Sequence, residues 1–169
     1  MNKEFLYSPW RMKYITSEKE KQCIFCIGDS SVSEMEQTDR DPLIVYRSIY
    51  CFVILNLYPY NNGHIMVVPN RHLGDFSGLK KEELHDLFET VQICEKVLKN
   101  VYKPDGINIG MNLGKAAGAG IDEHLHVHLV PRWSGDVNFM TSIADTRVIP
   151  DDFINSYKIL KEGFDNVTH

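Results

Sequence analysis

Along the middle of the chain, short runs of apolar residues give way to a longer period. Residues 43–47, 50–56 and 64–69 are rich in Val, Ile, Tyr and Phe, and Pro59, Asn61-Asn62-Gly63 and Pro69 punctuate them. This predicts three strands of an antiparallel meander. Residues 80–102 instead set Leu84, Leu87, Phe88, Val91, Ile93, Cys94, Val97, Leu98 and Val101 on a 3.6-residue period. That is the stripe of a long helix, ended by Pro104 and Gly106. Two more strands are predicted at 107–113 and 125–130, joined by the small-residue loop Gly114-Lys-Ala-Ala-Gly-Ala-Gly120, and a second helix spans about 151–164 after Pro150. Residues 17–41 are polar apart from Cys23-Ile-Phe-Cys26 and read as a loop-rich connection. The expected fold is α+β: an antiparallel sheet of about five strands, one long helix packed on it and a C-terminal helix. With no internal repeat, 1–169 reads as a single domain, 43–164 as its core and 1–41 as an N-terminal extension carrying the CxxC pair.

Composition narrows the function classes. With 169 residues, 43% of them hydrophobic, the chain can close one core unaided. A net charge of −5 and only 18 Lys+Arg argue against the basic face that polymeric nucleic acid requires. The apolar runs at 51–55 and 65–68 are too short for a membrane span, and MNKEFLYSPW lacks the apolar stretch of a signal peptide, so a cytoplasmic location is expected. Four cysteines in such a chain do not suggest a disulfide framework; Cys23-x-x-Cys26 has the spacing of half a metal site or of a redox pair.

The most informative segment is His124-Leu-His126-Val-His128-Leu-Val130. Side chains alternate across a strand, so the three histidines share one face and Leu125, Val127 and Leu129 the other, which can pack on the helix. Three imidazoles aimed at one place can hold a catalytic zinc with an open position, or one of them can be a nucleophile toward phosphorus. The context favours phosphorus. Asn112-Leu-Gly114 and the loop 114–120 can turn backbone N–H groups toward an anion, which only small residues permit.

In these residues the chain resembles the histidine triad (HIT) family. The alternating histidines followed by Pro131-Arg132, together with Leu55-Asn56, Gly63-His64, the apolar strand ending at Pro69 and the Asn112-Leu-Gly114 turn, stand in the family's order. Trp10-Arg-Met-Lys-Tyr-Ile15, Asn56-Leu-Tyr-Pro-Tyr60 and the segment from Pro131 to Phe139 are similar to the bacterial branch that includes diadenosine tetraphosphate phosphorylases. The resemblance implies cleavage of a dinucleoside polyphosphate through a covalent nucleotidyl-histidine. His126 would be the nucleophile, with His124 and His128 supporting it. Asn56 would contact the ribose, while Asn112 and the loop with Gly114, Gly118 and Gly120 would take up phosphate charge. Many hydrolases of the family carry glutamine where this chain has Gly120, which favours phosphate over water as acceptor, with Lys115 and Arg132 as candidate cations. A nucleoside phosphoramidate hydrolase using the same His126 and a nucleotide-binding module without turnover are the rival readings.

The resemblance also implies a structural zinc on Cys23, Cys26, His72 and His124, as in zinc-bearing relatives, and a homodimer formed through the long helix and its neighbouring strand. No organic cofactor is implied. Cys51 and Cys94 lie in apolar patterns and are expected in the core, and neither His64 nor His85 is given a function. Trp10, Tyr58, Tyr60 and Trp133 are expected to pack rather than stack on a purine, Tyr58 and Tyr60 being the best placed for a nucleoside.

Overall fold

A computed structural model describes residues 23–26, 43–136 and 153–167. The predicted loop-rich segment 17–41, apart from 23–26, lies outside the described residues, as do Trp10, residues 137–150 and the first two residues of the expected C-terminal helix. In chain order the elements are β1 (Ile44–Arg47), β2 (Cys51–Leu55), β3 (Ile65–Pro69), α1 (Lys81–Tyr102), β4 (Gly106–Gly110), β5 (Val127–Arg132) and α2 (Phe153–Val167). The five strands form one sheet in the order β1-β2-β3-β5-β4, with every pairing antiparallel. The first three strands are the expected meander. The helix α1 then carries the chain past β5 to the far edge, where β4 begins, and β5 returns into the gap beside β3.

Each face of the sheet has its own apolar layer because alternate residues point opposite ways. Val53, Leu55, Ile65, Val67, Val127 and Leu129 meet Leu87, Val91, Cys94, Val97 and Leu98 of α1 and Leu160 and Phe164 of α2. The other face carries Phe52, Ile54, Met66 and Val68, joined by Ile44 and by Phe25 from the segment 23–26. Lys80 caps α1: its backbone N–H donates to Glu83 Oε2 at 2.8 Å, and Arg71 holds the same carboxylate through two hydrogen bonds of 2.8 and 2.7 Å. These bonds hold the Glu83 carboxyl down at a pKa of about 2. The turn into β3 needs glycine, since Gly63 has φ +70° and a Cβ there would meet the Tyr102 ring at 2.6 Å.

Two strand limits differ from the expectation, and both bear on the site. The strand expected at 107–113 stops at Gly110, so Asn112 lies beyond the ladder. The strand expected at 125–130 is instead Val127–Arg132, so His124 and His126 precede it. The reason is local. β3 pairs with β5 only from Ile65↔Leu129 to Val67↔Val127. Past that point Leu125 N–H donates to Leu73 O at 2.6 Å, and Pro69 O accepts from the His124 ring at 2.9 Å. Backbone needs that a ladder would meet are met there by the 72–73 segment and by an imidazole.

Candidate active site and metal-ligand group

Despite the early end of the ladder, alternation carries through the histidines. His126 and His128 lie edge to face with ring centroids 4.8 Å apart. His124 and His126 are buried and His128 partly so. The hydrogen bonds fix the state of each ring. His126 Nδ1 lies 2.9 Å from the carbonyl oxygen of His124. A carbonyl only accepts, so Nδ1 carries the proton and Nε2 keeps its lone pair. At the other end, the Tyr60 backbone N–H donates to His64 Nδ1 at 3.0 Å. His64 must therefore carry its proton on Nε2, which donates to His128 Nδ1 at 3.0 Å. His128 in turn presents Nε2–H. The site thus holds one imidazole lone pair, on His126, beside one imidazole donor, on His128.

Burial keeps these rings neutral. It pushes His64 down to about 3, with the neighbouring His128 and His126 adding to the effect. His128 is pushed down to about 4 by burial and then by His126. Burial lowers His126 as well, opposed by its bond to the His124 carbonyl. Taking an imidazolium out of water with no carboxylate to pair it is unfavourable, and the uncharged form wins.

His124 faces a different group. Its Nε2–H donates to Pro69 O at 2.9 Å, which leaves the Nδ1 lone pair 3.3 Å from Cys23 Sγ and 3.8 Å from Cys26 Sγ. His72 Nδ1 is 3.3 Å from Cys26 Sγ, and one ligand atom from each of the four residues lies within 4.8 Å of the others. A tetrahedral zinc with ordinary bond lengths sets sulfur and nitrogen ligands about 3.6 Å apart, so the spacing and donor set fit a metal. The carbonyl behind His124 is the kind of second partner that fixes the tautomer of a ligating histidine. The four residues could hold a metal ion.

The sequence of this chain matches the profile of the HIT domain over residues 37–135. It is 41% identical over 162 residues, covering 92% of this chain and 81% of the relative, to a protein of Mycobacterium tuberculosis named AP-4-A phosphorylase. The chain belongs to the HIT family. A second relative, the Bis(5'-adenosyl)-triphosphatase of Saccharomyces cerevisiae, is 36% identical over 91 residues, 53% of this chain and 44% of that one. Among solved HIT structures, a histidine triad nucleotide-binding protein from Sulfolobus tokodaii superposes with a TM-score of 0.66 at 28% identity, over 86% of this chain and 94% of that one. A zinc-bound histidine triad family protein from Mycobacterium smegmatis gives 0.68 at 26%, over 86% and 95%.

Of the expected residues, His128 and the His124 carbonyl lie against His126, and the others stand as follows. Gly110 pairs with His128, so the chain continuing past it brings Asn112 toward His126, and Asn112 Nδ2 lies 3.9 Å from where a Cβ on Gly118 would stand. Within the loop, Gly114 O accepts from the N–H groups of Ala117 and Ala119, and Lys115 O from that of Gly118. Those amides are engaged within the turn. Gly120 is exposed in open space. The Asn56 amide nitrogen lies 3.3 Å from His64 Nδ1, and its oxygen accepts from Tyr58 N–H at 3.0 Å.

The two candidate cations have other partners. Lys115 Nζ is 3.7 Å from Asp122. Arg132 donates to Asp136 at 2.7 Å and to Asn108 at 2.9 Å, and six residues of extended chain put it about 20 Å from His126. Sequence reasoning gave His64 no role, yet it sits at the end of the histidine chain. It lies on the same sheet face as Met66, opposite His128, a placement that only the pairing of β3 with β5 creates.

Proposed function

We propose that this chain cleaves dinucleoside polyphosphates such as diadenosine tetraphosphate through a nucleotidyl-His126 intermediate, with inorganic phosphate as the acceptor. The observation that carries the reading is the fixed state of His126: Nδ1–H held by the His124 carbonyl, Nε2 free to attack. His126 Nε2 forms a bond to the α-phosphorus as the bond from that phosphorus to the bridging oxygen breaks, releasing ATP. His128 Nε2–H donates toward the phosphoryl oxygens. A phosphate oxygen then attacks the same phosphorus, the P–N bond breaks, and ADP leaves with His126 restored. His124 supports the nucleophile through its backbone carbonyl, since its ring nitrogens are engaged with Pro69 O and the cysteine sulfurs. Asn112 and the amides at the start of the 114–120 loop take up charge on phosphate oxygens, with Gly118 and Gly120 keeping the approach open. Asn56 binds the ribose. The names of the M. tuberculosis and S. cerevisiae relatives support this substrate class.

The same reading assigns zinc to Cys23, Cys26, His72 and His124, a closed group that would supply folding energy rather than an open coordination position. It takes 1–169 as one domain and places the protein in the cytoplasm; among the described residues no helix is long and apolar enough to cross a membrane. It makes the protein a homodimer through α1 and the sheet edge at β4, where Phe88 and Ile109 are each 47% exposed. Incubating the protein with diadenosine tetraphosphate, with and without millimolar phosphate, tests the reaction. Phosphate is expected to raise the rate and to change the products from AMP plus ATP to ADP plus ATP, and His126→Ala to abolish both. Products that stay AMP and ATP at saturating phosphate would replace phosphorolysis by hydrolysis.

A further inference from the structure

Phe25 stands between the two cysteines of the metal-ligand group and turns inward, 3% exposed. The Cys26 N–H donates to Cys23 O at 3.1 Å, closing a tight turn around it, while both sulfurs approach His124. Its ring centroid lies 5.6 Å from that of His124 at an interplanar angle of 80°, and 5.2 Å from that of His126 at 48°. One aromatic side chain therefore touches both a metal-ligand residue and the nucleophile. It belongs to the apolar layer that also holds Ile44, Phe52, Ile54, Met66 and Val68.

A hydrogen bond from Nδ1–H to the His124 carbonyl fixes one atom of the His126 ring. That single bond sets the ring plane only while it is made, and a rotation about Cβ–Cγ breaks it and exchanges the nitrogen facing outward. A second contact on the flank of the ring is needed to hold the direction of the Nε2 lone pair, and Phe25 makes it. We propose that Phe25 is a positioning residue for His126, holding the imidazole plane in which Nε2 addresses phosphorus. The inference rests on His126 as the nucleophile.

Full-length Phe25→Leu, which keeps an apolar side chain of similar reach but not the flat ring, tests it beside the wild-type protein with metal content and melting temperature recorded for both. The first readout needs no substrate: long-range proton–nitrogen NMR of the imidazoles. Wild-type His126 is expected as a single Nδ1–H tautomer and F25L as a mixture of the two. The second readout is turnover of diadenosine tetraphosphate, where kcat is expected to fall about tenfold to hundredfold with KM little changed, the size of effect a small misplacement of a reacting group produces. Wild-type His126 signals in F25L would overturn the proposal. So would a raised KM at unchanged kcat, which would make the ring a wall of the nucleoside pocket, or loss of the metal, which would make it a strut of the cysteine turn. If the wild-type protein cleaves no dinucleoside polyphosphate, the functional reading fails while the tautomer comparison still decides the role of Phe25.

Discussion

At the residue scale, His64 shows how a neutral imidazole can cost stability in acid. Burial lowers its pKa to about 3 in the fold, against about 6.5 in an unfolded chain. Between those values the unfolded state binds the extra proton, so stability is full above about pH 6.5, declines as the pH falls, and levels off below about pH 3. His64→Asn removes that titration. In thermal melts across pH 4 to 8, the variant is expected to lose less stability toward acid than the wild type, by the order of 1–3 kcal/mol between the ends of the range. Parallel curves would mean that His64 is not buried as described. Little of this was legible beforehand. A histidine after glycine at a strand start looks like any other, and only the pairing of β3 with β5 brings it to His128. His124, His126 and His128 could be read because alternation is a local property of the backbone.

At the element scale, the helices and the meander were legible because their periods run without interruption, whereas both strand ends beside the site were misplaced by two or three residues. Strand limits there are decided by partners distant in sequence, such as Leu73 O and Pro69 O, that no local pattern reveals. The docking of α2 on α1 is another such feature. Gly163 in α2 sits so close to α1 that a Cβ would lie 2.6 Å from Val101 Cγ2 and 3.0 Å from Val97 Cγ1. Tyr46 stacks on Phe164 next to it, centroids 5.3 Å apart and nearly parallel. Gly163→Val is expected to cost about 1–3 kcal/mol through overpacking, although valine suits a helix slightly better than glycine does. Urea unfolding would measure the loss, and an unchanged midpoint would mean that α2 docks loosely.

At the scale of the whole molecule, the metal-ligand group draws together three distant parts of the chain: 23–26, the segment after β3 and the approach to β5. Joining such separated segments should favour the folded state strongly, because a preformed site rarely exists in the unfolded chain. Chelation is therefore expected to lower the melting temperature by several degrees or more. Turnover measured well below that temperature should fall less, since no step of the proposed chemistry uses the metal. Calorimetry and activity on the same chelated sample check both. Complete loss of turnover in a fully folded chelated protein would revive the reading in which the histidines themselves hold a catalytic ion. The hydrogen-bonded run from Tyr60 through His64 to His128 bears on that reading, because it has a polarity. Every proton in it points the same way, and the backbone amide at its origin cannot reverse. For a cation to settle between His126 and His128, the last ring would have to give up its outward N–H, and His64 behind it would have to turn in step. For His126 as the proposed nucleophile, the run is expected to act as a filter by protonation state: beside a group that could hold a metal ion, it disfavours a cation shared between the His126 lone pair and His128.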